Sequence, residues 1–117
     1  MATLAYPGNL QTNQAGNADS TNIIRRQGII NGRAAILRIV TNAGTTVTIN
    51  IMGSYDGTNF FNIGYSPLSA APTQFTFAAL VITTATTNLY YLPDTDWVYL
   101  KLVQSLNTGM TPTSDLL

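Results

Sequence analysis

Val47, Ile49 and Ile51 alternate with Thr46, Thr48 and Asn50 along the stretch from Thr45 to Ile63. A period of two puts one set on each side of an extended chain, so a half-buried strand is predicted there. Asp56-Gly57 follows. Glycine accepts positive φ and an Asp carboxylate can take the backbone N–H groups ahead of it, which predicts a turn. Phe60 to Ile63 supplies a second apolar run, and the whole stretch reads as a hairpin.

The same pattern recurs on both sides. Ile23-Ile24 and Ile29-Ile30 flank Arg25-Arg26-Gln27-Gly28, a short first strand bent or bulged near Gly28, and Asn31-Gly32 is a two-residue hairpin signal. From Arg33 to Thr41, Ala35, Leu37 and Ile39 share one face and Ala34, Ile36, Arg38 and Val40 the other. Apolar residues on both faces predict a central strand covered on both sides, with a partner subunit as one candidate cover. Asn42-Ala43-Gly44 is a turn, and Gly64 to Pro72 a loop holding two prolines. Gln74 to Ile82 reads as a strand, with Phe75, Phe77, Ala79 and Val81 on one face and Thr76, Ala78 and Leu80 on the other. Thr83 to Thr87 either extends it or loops. Asn88 to Leu92 is a short strand, Pro93-Asp94-Thr95-Asp96 a tight turn, and Trp97 to Val103 the last strand.

About seven antiparallel strands with turn chemistry between them, and no amphipathic helix, predict an all-β fold: a single β-sandwich, with a jelly roll as the nearest variant. Residues 1–22 and 105–117 hold no sustained period and read as N- and C-terminal arms around a sandwich of residues 23–104. A disordered tail is the alternative for the first of these. Tyr6-Pro7 favours an arm, because an aromatic beside a rigid proline is an anchor with little entropy to lose.

Composition sharpens this. The 117 residues fit one domain, with 45% hydrophobic but only 9% charged residues, against about 25% in an average soluble domain. A surface so poor in charge does little to keep copies apart, which suits a protein that is assembled. Five basic residues balance five Asp, for a net charge of zero. Four of the basic residues, Arg25, Arg26, Arg33 and Arg38, crowd one region. Nucleic-acid binding needs a broader positive excess, so these arginines are expected either to pair with carboxylates across an interface or to sit on a solvated strand edge, where charge discourages edge pairing. Without cysteine there is no disulfide or thiolate site. No stretch has the ~20 apolar residues of a membrane span, and the N-terminus lacks the pattern of a signal peptide, so synthesis in the cytoplasm is expected.

The search for chemistry is short. Histidine is absent too, which removes the commonest general base and the usual zinc sites. Asp94 and Asp96 could act as an acid/base pair or bind Ca2+, and Asp56-Gly57-Thr58-Asn59 has some likeness to a Ca2+ loop. Ordinary turn propensity explains both sites. Tyr55, Phe60, Phe61, Tyr65 and Trp97 could form a sugar-stacking platform, or equally a core or an interface. The expectation is no enzyme, no cofactor and no metal.

Gly53-Ser54-Tyr55-Asp56-Gly57-Thr58-Asn59-Phe60, together with Leu89-Tyr90-Tyr91-Leu92-Pro93-Asp94-Thr95-Asp96-Trp97-Val98-Tyr99-Leu100-Lys101-Leu102, resembles small β-sandwich virion proteins of tailed bacteriophages. Among these it is most similar to capsid decoration (cement) proteins, and the likeness spans roughly the second half of the chain. Comparable hairpins and closing strands occur in discoidin-like adhesion modules. The resemblance implies a homo-oligomer, commonly a trimer, on the outer capsid surface of the virion. Its partner there is the major capsid protein, and its terminal arms would lock neighbouring subunits. Tyr6, Leu10, Arg25, Arg26, Arg33 and Arg38 are then the candidate partner contacts. No nucleic acid, membrane or small-molecule substrate is expected. The alternative is a carbohydrate-binding or adhesion module of a phage tail or fibre.

Overall fold

The computed structural model describes residues 8–25, 35–42, 44–67, 75–93 and 97–116. In chain order the strands are β1 (Asn9–Gln11), β2 (Ile24–Arg25), β3 (Ala35–Val40), β4 (Thr46–Ser54), β5 (Phe61–Asn62), β6 (Ser66–Pro67), β7 (Leu80–Ile82), β8 (Thr87–Leu92), β9 (Tyr99–Thr108) and β10 (Thr113–Leu116). They form two antiparallel sheets, one in the order β1-β10-β3-β8-β6 and the other in the order β2-β9-β4-β5, with β7 also on β4. The all-β sandwich is therefore as expected, but with ten strands rather than seven.

Each of the seven predicted segments contributes one strand. The three additional strands, β1, β6 and β10, come from segments read as arm, loop and arm. The boundaries of residues 23–104 are thus corrected. Residues 9–11 pair with β10, residues 113–116 pair with β3, and residues 105–108 continue β9. A hydropathy pattern does not show these strands, because their inward positions include Gln11 and Ser114, which are buried polar residues. The hairpin joining β4 to β5 is as predicted, with Met52 opposite Asn62 and Gly53 opposite Phe61. β3 is the middle strand of its sheet, as predicted, but within this chain only its inner face is covered, because Arg38 and Val40 on the other face reach solvent; the Asn31-Gly32 turn lies outside the described residues.

Alternation sets the core. Leu37 and Ile39 of β3 and Tyr90 and Leu92 of β8 face Val47, Ile49 and Ile51 of β4 and Leu100 and Leu102 of β9. Gly53 follows in the inward series of β4, where a Cβ would lie 2.8 Å from Trp97 Cβ and 2.9 Å from Ile63 Cγ2. Trp97 fills that space, and its indole N–H donates to the Pro93 carbonyl at 2.7 Å. The buried indole therefore keeps a partner for its only donor.

The two long edges of the sandwich differ. Along one, residues 8–25 run down the first sheet and back up the second. A bulge between Asn9 and Gln11 turns both Leu10 and Gln11 inward. Asn22 N–H donates to the Leu10 carbonyl, Ser20 N–H to Leu102 and Gln104 N–H to Ala18, which ties β1 to the return strand and that strand to β9. Inside this edge, Gln104 Nε2 donates to the carbonyls of Gln14 and Gly16, and its Oε1 accepts from Gln11 Nε2, which also reaches Ser114 Oγ. On the opposite edge, β5 and β6 are separated by residues 63–65, where the chain crosses from one sheet to the other. There Tyr65 and Thr76 exchange backbone hydrogen bonds.

Candidate interaction surface

The structure separates the predicted contact residues. Leu10 is fully buried in the core, so its role as a partner anchor is corrected. Arg38 lies on the outer face of β3, and its guanidinium donates to the Asp115 carboxylate at 2.9 Å, within the same chain. Arg25 is exposed on the edge strand β2, opposite Tyr99 in the other sheet. Closeness in sequence thus does not make Arg25 and Arg38 one patch. Tyr6, Arg26 and Arg33 lie outside the described residues, as do Asp94 and Asp96.

The Asp56 loop is a hydrogen-bonded turn. Its Oδ1 accepts from Thr58 N–H at 2.8 Å, Asn59 N–H at 2.9 Å and Ser54 Oγ at 2.9 Å, and its Oδ2 accepts from Asn59 Nδ2. These bonds, led by the two backbone amides, hold the carboxyl far below the usual carboxylate range. Gly57 at φ +80° completes the turn. An oxygen that already takes three donors is a poor Ca2+ ligand, and the four bonds to the carboxylate close the turn. Among the described residues no group of three or more metal-binding side chains is brought together.

The residues beside the turn are aromatic. Tyr55 is 62% exposed, and its ring packs on Phe61 with centroids 5.7 Å apart and planes tilted by 41°. Phe60 turns aside under the Lys101 ammonium, which stands 4.4 Å above the ring centroid and pairs with Asp19. Trp97 is core. Tyr65 meets Tyr90 edge to face, and burial pushes the Tyr90 hydroxyl up to about 12. The platform of five rings expected as one alternative is therefore divided between surface and core. What remains outside is the Tyr55–Phe61 pair.

Phe77 and Val81 extend this exposed series. Their alternation was legible, but not which face would be buried. The structure puts Leu80 and Ile82 in the core and leaves Phe77, at 66% exposed, and Val81 in solvent. A Cβ on Gly64 would meet the Phe77 ring at 3.1 Å, so the ring lies against that glycine. Next to it, an open cleft of about 480 Å3 is lined by Tyr65, Pro67 and Leu80 on one side and Thr87 to Tyr90 on the other. Tyr55, Phe61, Phe77, Val81 and this cleft all belong to the edge that the chain termini leave uncovered. Compared with protein-family models, curated proteins and solved structures, the chain matches none of them.

Proposed function

We propose that this chain is a structural virion protein, a capsid decoration protein that binds the outer surface of a capsid and braces contacts between major capsid protein subunits. The observation that carries this reading is the placement of Tyr55, Phe61, Phe77 and Val81 along one edge of a sandwich whose other edge is closed by its own chain. Exposed apolar residues gathered together mark a docking surface, and aromatic rings are the side chains that most often anchor one. The low charge supports self-association into a homo-oligomer, a trimer in this reading, as well as contact with a shell. Once one protomer has docked, the remaining contacts are intramolecular, so weak individual joints add up to firm attachment. The terminal segments contribute less than the resemblance implies, because residues 8–25 and 105–116 are part of the sandwich.

Co-sedimentation tests the proposal, using empty shells of the major capsid protein of the virus that carries this chain. The wild-type chain is expected to pellet with shells, and Tyr55→Ala with Phe61→Ala to weaken binding about tenfold or more. A wild-type chain that stays in the supernatant at saturating shell concentrations overturns the reading. The tilted Tyr55–Phe61 pair, with exposed Asn62 beside it, favours a second reading as a carbohydrate-binding or adhesion module. A glycan array that lights up with the wild-type chain and goes dark with the same double variant supports that alternative.

A further inference from the structure

We propose that copies of this chain associate through one end of the sandwich, with Leu106 of each copy at the symmetry axis. The inference takes from the reading above only the homo-oligomer, not the shell, and names the contact that builds it. Along β9 every second residue faces the core, so Leu106 follows Leu100, Leu102 and Gln104 in the inward series. It is nonetheless 72% exposed. A bulge is the reason. Thr48 stands opposite Ser105 but Thr46 opposite Thr108, so β9 carries one residue more than β4 between these rungs. At the bulge Leu106 has φ +49°, in the left-handed region where a side chain crowds the backbone and glycine or asparagine is the usual occupant.

The surroundings hold that conformation in place. Asn107 Nδ2 donates to the Met110 carbonyl at 2.7 Å, and Asn107 Oδ1 accepts from Met110 N–H at 2.8 Å. The same Nδ2 reaches the Gly16 carbonyl, and Asn107 N–H donates to Asn17 Oδ1. A strained backbone is thus fixed so that a leucine leaves the core and stands in water. Strain and exposure both cost a solitary molecule stability, and burial of the side chain against a second molecule offsets them.

The end around Leu106 says what that molecule is. Residues 12–17, 41–45, 83–86 and 109–112 form it, where strands of both sheets stop. Backbone bonds from Gln14 to Pro112, Thr41 to Thr86 and Thr45 to Thr108 tie these loops together. They include no Asp, Glu, Lys or Arg, whereas Arg25 and Asp56 lie at the opposite end. The exposed side chains here are mainly Thr, Asn and Ala, and each hydroxyl or carboxamide both donates and accepts. Such a surface can hydrogen-bond to its own copy, which a face of one charge sign cannot, and no ion is desolvated in the contact. About twenty residues belong to it, as many as one side of a stable interface uses. A residue on a symmetry axis meets its own copies whatever the order of the axis, so the contact serves a trimer as well as a dimer.

Light scattering on the full chain tests this, with Leu106→Asn as the central variant. Asparagine suits the left-handed region better than leucine, so the substitution removes the apolar contact and spares the bulge. At a dilution where both chains are monomeric, its thermal midpoint is expected to be no lower than that of the wild type. The concentration needed for association should rise about tenfold or more. Ala15→Asp, at an exposed position next to Gly16, sets like charges against each other in the same contact and should weaken association too. It decides alone if Leu106→Asn is unfolded. Tyr55→Ala with Phe61→Ala, at the open edge, should keep the wild-type mass. A wild-type chain that is monomeric up to its solubility limit overturns the proposal, as does a folded Leu106→Asn chain that keeps the wild-type mass. An assembly that Leu106→Asn takes apart but that ignores capsid shells sinks the capsid reading and keeps this one; a monomer that binds shells does the reverse.

Discussion

The two long edges of the sandwich invert the usual relation between polarity and burial. At the closed edge Gln11, Gln104 and Ser114 are inside, while at the open edge Tyr55, Phe61 and Phe77 are outside. Closing a sheet edge means pairing backbone groups as well as hiding carbon. The Gln104 amide does both when it donates to the Gln14 and Gly16 carbonyls. The open edge keeps carbon in water, which is costly for a solitary molecule and useful for one that docks. Single exposed apolar side chains occur elsewhere too, Ile23 beside β2 and Leu106 in β9 among them, but it is at the open edge that Tyr55, Phe61, Phe77 and Val81 gather.

Substitutions should break this contrast in a definite order. Leu10→Ala, at the closed edge, is expected to cost about 2–5 kcal/mol in urea unfolding, because it opens a cavity under β1. Its counterpart Phe77→Ala should stay within about 0.5 kcal/mol, with any loss falling on docking. Equal costs for the two would erase the distinction. Gly53→Ala comes next at about 1–3 kcal/mol, since the new methyl meets Trp97 and Ile63 and part of the core must shift.

Arg38→Met is expected to cost at most about 1 kcal/mol. The pair with Asp115 is 42% and 20% exposed, so solvent screens it and added salt should shrink the effect further. Asp56→Asn closes the series and sharpens the role of the turn, with its full effect at neutral pH, where the carboxylate is charged, and less in acid. Folding lowers the Asp56 pKa, so its contribution is fully present above the ordinary value of 3.8 and is lost as pH falls below it. Acid titration should show a steeper loss of stability in the wild type than in Asp56→Asn. Parallel curves would mean that the four bonds to Asp56 contribute no net stability.

Much of the fold was legible. Strict alternation in β4 and turn chemistry at Asp56-Gly57 placed those elements close to where they lie, whereas β9 starts two residues later than its predicted start at Trp97 and continues past Val103 to Thr108. The closed edge was not legible, because β1 and β10 bury Gln11 and Ser114, and hydrogen-bonding partners far apart in sequence carry no local period. The open edge was half legible. Both faces of the run from Phe75 to Val81 hold apolar residues, and only packing decides that Leu80 turns inward and Phe77 outward. Arg25 and Arg38, grouped by sequence, end in different sheets because sheet membership alternates along the chain.

Hydrogen exchange, compared between the free chain and the chain bound to capsid shells, tests the central claim most directly. The account predicts new protection in residues 61–67 and 87–89, with residues 8–25 and 113–116 already slow to exchange and unchanged. Protection gained along the closed edge, with none along the open one, would contradict it.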